Sequence, residues 1–257
     1  MKTIVQISDT HLMDLPDKNF IELNPERTFH QIIDEILSRH QHIDTILHTG
    51  DVAQVPKPVT YQRYLNYMGS LNIPFYQTPG NHDDPSCFPY PQKSKLSVIS
   101  LDRWCVILLD SAVVGKVDGL IDEEQLNHLE QALKQHQDQH ILIGCHHHPL
   151  EMKSAWIDQH CLKNTDQLMN ILCKYPNVKA VIHGHVHQEA EIYFKHIPIF
   201  SVPSTCVQFK PLSQDFALDE DTPGYRLLNL YDDGRLETEI FRVESMIEKI
   251  NLNICGY

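Results

Sequence analysis

The sequence predicts an α/β domain, and three observations predict it. Short runs rich in Val and Ile alternate with amphipathic stretches from one end of the chain to the other. The 257 residues suffice for one large hydrophobic core. Neither a Gly/Ser linker nor an internal repeat divides them, so residues 1–257 are expected to form a single domain. With 42% hydrophobic and 21% charged residues, the chain is too apolar to be disordered.

The elements follow in order. Residues 3–7 read as a short apolar strand that breaks at Asp9-Thr10-His11. A helix over 25–40 takes Asn24 as its N-cap and Pro25 at its first position, where a missing N–H costs nothing. A strand at 43–48, a helix at 59–71 and a strand at 74–78 come next, then strands at 97–100 and 104–110. A helix over 122–136 is capped by Asp122, and after a strand at 140–145 a helix over 164–174 is capped by Asn164. Strands at 178–183, 189–194, 197–202, 225–231 and 235–243 complete the pattern. Residues 203–224 show no periodicity. A loop of that length in a compact domain is functional or disordered, and its apolar Cys206, Val207 and Phe209 favour a functional segment near a site.

Composition narrows the function. Lys plus Arg number 21 against 34 Asp plus Glu, a formal charge of −13 that repels polyanions. Nucleic acid and an anionic membrane are therefore not expected as partners. No apolar run is long enough to span a bilayer, and MKTIVQISDTH turns polar too early for a secretion signal. The seven cysteines (87, 105, 145, 161, 173, 206 and 255) are odd in number and lack CxxC spacing. They suit core packing in a reducing cytoplasm, the expected location, rather than disulfides. Histidine is the anomaly: of 17, several cluster at 146–148 and at 183, 185 and 187, beside Asp and Gly.

Five apolar strands end in potential ligands. IVQIS leads to Asp9 and His11, TILHT to Gly50-Asp51, and FYQTP to Gly80-Asn81-His82-Asp83. ILIGC leads to His146-His147-His148-Pro149, and VKAVI to His183-Gly184-His185-Val186-His187. Carboxyl ends of strands in an open α/β sheet line one crevice, so these groups are expected to converge. Singly, each cluster has a plain reading as a turn or a cap. Five in order make one site.

The ordered set Asp-X-His, Gly-Asp, Gly-Asn-His-Asp, His-X-Pro and Gly-His-X-His resembles the binuclear, calcineurin-like metallophosphoesterases over residues 9–187. Residues 145–166, 183–191, 203–211 and 215–226 resemble, more narrowly, the bacterial class III 3′,5′-cyclic AMP phosphodiesterases. The resemblance implies a four-layer αββα sandwich of two mixed sheets with helices outside. It implies that Asp9, His11 and His187 hold one metal, that Asn81, His147 and His185 hold the other, and that Asp51 bridges them. His147 is chosen over His146 and His148 because the family's ligand lies two residues before the proline, and strand alternation points its neighbours away.

Two carboxylates, one carboxamide and four imidazoles suit Fe, Mn, Zn or Co rather than Mg or Ca alone, and do not choose among the four; two divalent transition-metal ions, Fe or Mn foremost and Zn or Co as alternatives, are the expected cofactors. Two such ions with two carboxylates and a hydroxide leave about one positive charge, which a monoanionic cyclic nucleotide balances. The implied reaction is hydrolysis of 3′,5′-cyclic AMP to 5′-AMP by a metal-bridging hydroxide. Its substrate would be held by His11, Asp51, Asn81, His82 and His187. His82 would donate a hydrogen bond to the phosphoryl group or a proton to the departing 3′ oxygen. A broader diesterase acting on glycerophosphodiesters or 2′,3′-cyclic nucleotides, and a catalytically silent scaffold, are the competing readings; no Lys/Arg stripe suggests a nuclease.

Other residues carry two readings each. Trp156, His160 and Asn164 cap the crevice or simply pack. Thr205, Gln208 and Phe209 lie in the long segment, where Phe209 stacks a base or fills the core. Asp83 and Asp84 support a ligand histidine. Cys145 is read as inert, and the acidic residues at 215–221 as solvated surface.

Overall fold

The computed structural model describes residues 1–92, 94–243, 250–254 and 256. Among these, all eleven strands and four helices begin and end within two residues of the expected positions. Strand β1 (Lys2–Ile7) lies between β10 (Gly224–Leu230) and β2 (Thr45–His48). With β3 (Phe75–Gln77) outside β2 and β11 (Leu236–Arg242) outside β10, they form a five-stranded sheet. The second sheet runs β4 (Leu96–Leu101), β5 (Trp104–Leu109), β6 (His140–Cys145), β7 (Val178–His183), β9 (Ile197–Ser201) and β8 (Glu191–Phe194). Both sheets are mixed. β1, β2 and β3 pair in parallel, as do β5, β6, β7 and β9, while β10, β4 and β8 pair antiparallel to their neighbours.

Three apolar interfaces fix the four layers. Ile4, Leu47, Trp104, Leu142 and Leu228 bury the inner faces of the sheets against each other. Helices α1 (Pro25–Arg39) and α2 (Pro58–Ser70) cover the outer face of the first sheet. Phe29, Ile32, Ile33 and Ile36 fall on one stripe of α1 and meet Val5, Ile7 and Ile46. Helices α3 (Glu123–Gln135) and α4 (Thr165–Leu172) cover the second sheet through Leu129, Leu133, Leu168 and Leu172. Asn24 and Asp122 accept the N–H groups of Arg27 and Gln125, as expected of caps. Asn164 does not cap α4. Its carboxamide pairs instead with both backbone groups of Ile121 and ties α4 to the chain entering α3.

The segment 203–224 is ordered, not an open loop. Phe209 bridges Leu218, and Cys206, Val207, Phe209 and Leu218 form a satellite cluster with Phe20 and Leu23. The six described cysteines are free; Cys255 lies outside the described residues.

Candidate metal centre

Seven side chains from five strand ends converge where the parallel strands of both sheets terminate. In a first set, His187 Nε2 lies 3.2 Å from Asp9 Oδ1 and 3.2 Å from His11 Nε2. In a second, His146 Nε2 lies 3.2 Å from Asn81 Oδ1 and 3.2 Å from His185 Nδ1. Asp51 stands between them, its Oδ2 3.3 Å from His146 Nε2 and 4.0 Å from His11 Nε2. Six of the seven side chains are buried; Asn81 is half-buried and opens the site to solvent with His82.

Hydrogen bonds behind the rings dictate what these atoms can do. His11 Nδ1 donates to Gln54 Oε1 at 2.8 Å, His187 Nδ1 to the Val207 carbonyl at 2.7 Å, and His146 Nδ1 to the Thr49 carbonyl at 2.8 Å. An amide oxygen only accepts, so each of these nitrogens carries the proton and each ring turns its Nε2 into the site. In the first set the Nε2 atoms of His11 and His187 face each other and the Asp9 carboxylate at about 3 Å, a crowding of lone pairs that a cation within the set relieves. In the second, burial opposes a charge on His146, yet the Asp51 carboxylate raises this imidazole to about 9, so that a proton on Nε2 takes the place a cation would fill. Both sets have the donors for a metal ion.

The backbone is bent to achieve this. Asp9, His11, Asp51, His185 and His187 have φ of 56°, 53°, 53°, 70° and 48°, the left-handed region, at a cost of ~1–2 kcal/mol each. Rigid surroundings hold the turns. Asp9 N–H donates to Gly50 O and His11 N–H to Asp51 O, while Ser204 Oγ donates to the Asp9 carbonyl. Asp83 is the knot between the β2 and β3 turns, accepting from the N–H groups of Val52, Ala53 and Gly80 and from the Tyr61 hydroxyl. Burial and the neighbouring Asp51 push its carboxyl up to about 7 despite these donors. Two glycines make the room: a Cβ on Gly80 would lie 2.1 Å from Asp51 Oδ1, and Gly50, at φ +100°, backs the His146 ring.

The profile of the calcineurin-like phosphoesterases matches residues 2–189. The chain belongs to that family. A dinuclear metal centre is the family's property, and the two donor sets agree with it. This phosphoesterase is 38% identical to a 3′,5′-cyclic adenosine monophosphate phosphodiesterase of Vibrio vulnificus, over 94% of this chain and 90% of the relative. It is 37% identical to the protein of the same name from Escherichia coli K12, over 93% and 89%. A dimetal phosphatase of Danio rerio shares the fold, with a TM-score of 0.62 at 16% identity over 94% of this chain and 98% of that one.

Against expectation, it is His146 and not His147 that faces Asp51 and Asn81, although His147 also lies at ligand spacing from His146 and His185. Both nitrogens of His147 are engaged elsewhere. Nδ1 accepts from the Ser111 hydroxyl at 2.8 Å and Nε2 donates to the Val117 carbonyl at 3.0 Å, so neither offers a lone pair to a cation. The strand ends at Cys145, and past its last ladder residue the alternation that favoured His147 no longer applies. His82 lies beside the site as expected. Its N–H donates to Asp51 Oδ1 at 2.9 Å, and its ring meets that of His11 edge-on at 5.1 Å.

Phe209 is buried and lies flat on His187, ring centroids 3.9 Å apart and 9° from parallel, so it supports an imidazole and is closed to a base. Trp156 packs edge-on against Phe209 and donates to Ser213. Asp83 braces backbone rather than a histidine, and Asp84 accepts from Ser86 N–H. Burial raises the Cys145 thiol to about 12 and keeps it inert. Thr205 and Gln208 are buried, and Gln208 donates to the Ser204 carbonyl. His160 ends a short 3₁₀ turn, Ile157–His160, half-buried. Sequence reasoning missed Gln54, Val207 and Thr49, because their contribution is a carbonyl or amide oxygen placed by tertiary contact.

Proposed function

We propose that this chain hydrolyses 3′,5′-cyclic AMP to 5′-AMP with two divalent metal ions. One observation carries the reading: a single Asp51 oxygen faces both donor sets, the arrangement needed to hold two cations close together. Relatives named cyclic AMP phosphodiesterases, matched over nearly their whole length, support the substrate.

Asp9, His11 and His187 would hold one ion, Asn81, His146 and His185 the other, and Asp51 both. The mixed N/O set without thiolate suits Fe or Mn, with Zn or Co as alternatives. When bound, such a pair activates water at neutral pH and neutralises charge on the phosphoryl oxygens. The chain's own part is to orient. Gln54, Val207 and Thr49 keep the ligand rings in the tautomer that presents Nε2. His82, half-buried at the open side, donates a hydrogen bond to the phosphoryl group or a proton to the leaving 3′ oxygen. Free cysteines fit a cytoplasmic setting, and no described helix is long and apolar enough to cross a membrane.

The test is elemental analysis after loading with Fe or Mn, followed by a panel of 3′,5′-cyclic AMP, 3′,5′-cyclic GMP, 2′,3′-cyclic AMP and a glycerophosphodiester. We expect about two ions per chain and highest kcat/KM on 3′,5′-cyclic AMP. Turnover of the others without cyclic AMP would remove the substrate assignment. Less than about one ion per chain with no turnover would make the chain a scaffold.

A further inference from the structure

The two donor sets share one piece of backbone, the turn His185-Val186-His187, which supplies a ligand at each end. His185 and His187 both hold left-handed backbone, with φ of 70° and 48°, so their surroundings have to enforce the turn. One short segment, residues 152–158, grips all three of its residues. Val186 is fully buried against Met152 and Ile157. His187 carries Phe209 flat on its ring, and Trp156 meets Phe209 edge-on, with centroids 5.0 Å apart and planes at 79°. The indole is itself fixed, donating to Ser213 Oγ at 3.0 Å. At the other end of the turn, the His185 ring is stacked on that of His148, with centroids 5.5 Å apart and planes 20° from parallel. His148 Nε2 in turn lies 3.5 Å from Asp158 Oδ1. That oxygen also accepts the Met152 N–H at 2.7 Å, and the Asp158 N–H donates to the Ser154 carbonyl, so the segment closes on itself.

We infer that residues 152–158 are one clamp on the ligands of both ions, with Trp156 a positioning residue for His187 in the first set and Asp158 a positioning residue for His185 in the second. The inference rests on the two-ion reading of the centre. Each side chain acts through one intervening ring, Phe209 or His148. Its loss therefore leaves all seven donors in the chain and frees one imidazole to tilt away from its ion. Because a single segment holds both ends of the turn, the spacing of the two ions depends on that segment as well as on the turn itself.

The test is calorimetric titration of chelator-treated protein with Mn²⁺, with urea midpoints alongside, for Trp156→Leu, Asp158→Ala and the milder Trp156→Phe and Asp158→Asn. Asn81→Ala, which lacks a ligand of the second set, identifies the binding event that belongs to that set. We expect Asp158→Ala to weaken that event ~10-fold and Trp156→Leu to weaken the other ~10-fold, each sparing the event it does not serve to within about three-fold. Trp156→Phe keeps an aromatic edge against Phe209 and Asp158→Asn keeps an acceptor for Met152, so both should recover wild-type affinity to within about three-fold. Unchanged affinities in Trp156→Leu and Asp158→Ala would overturn the inference. So would equal weakening of both events in each of them, the mark of a general loosening. Should Trp156→Leu fail to fold, the contrast between Asp158→Ala and Asp158→Asn decides. Wild-type protein that takes up less than about one Mn²⁺ per chain overturns the two-ion reading instead, and this inference falls with it.

Discussion

The Thr10 hydroxyl lies 2.9 Å from His48 Nε2, and the other nitrogen of that ring lies 3.1 Å from the Tyr64 hydroxyl. All three side chains are buried, and Thr10 sits between Asp9 and His11, both of which hold left-handed backbone. The sheet core therefore braces the tightest turn of the centre through His48. His48→Phe fills the same volume and removes both bonds. We expect a loss of ~1–3 kcal/mol in urea unfolding and ~10-fold weaker Mn²⁺ binding by calorimetry. Wild-type affinity in this variant would show that the turn holds without the bond to His48.

His48 also gives a pH dependence. Burial lowers its pKa to about 3, so the folded protein keeps it neutral, while an unfolded histidine takes up a proton near 6.5. Below 6.5 the unfolded state binds the extra proton, and stability falls as pH drops toward 3; above 6.5 the contribution is constant. The slope is ~1.4 kcal/mol per pH unit for one such group. Urea unfolding of chelator-treated protein at several pH values between 7.5 and 5 measures it. The difference in slope between wild type and His48→Phe isolates this residue, and parallel lines would contradict a neutral buried ring.

Asp83 predicts a structural lesion. Its carboxylate satisfies three backbone N–H groups and the Tyr61 hydroxyl, and Asp83→Ala leaves the N–H groups buried without acceptors. A cost of ~3 kcal/mol or more is expected, whereas Tyr61→Phe removes one donor to the carboxylate and the acceptor of the Asp84 N–H and costs ~1–2 kcal/mol. Denaturant midpoints decide. An Asp83→Ala protein as stable as Tyr61→Phe would mean that water replaces the carboxylate.

Ligands and proton donor separate by metal content. Asn81→Ala and His146→Ala should each lower occupancy of the second ion and turnover together. His82→Ala should keep both ions and lose ~10²–10⁴-fold in kcat as a general acid. Elemental analysis beside kinetics reads the difference. Equal metal loss in His82→Ala would end the division of labour.

Much of the fold was legible because each layer repeats its own period. The Val and Ile runs of β1, β2, β6 and β7 are buried on both faces, and the i, i+3, i+4, i+7 stripe of α1 cannot be mistaken. The five ligand clusters were legible because each follows such a run. What failed was choice within a cluster. Nothing along His146-His147-His148 says which imidazole turns inward; that is decided by Gly50, which leaves space for the His146 ring, and by Ser111 and Val117, which claim His147. Phe209 and Asn164 were uncertain for the same reason: their partners, His187 and Ile121, lie 22 and 43 residues away.

The position of β1 between β2 and β10 has a consequence for how the donors are brought together. Asp9 follows a strand whose two neighbours are drawn from residues 45–48 and 224–230. No short stretch of the chain gathers the donors by itself, since they come from strands of two sheets and the sheet carrying Asp9 is flanked on both sides only when both distant segments are in place.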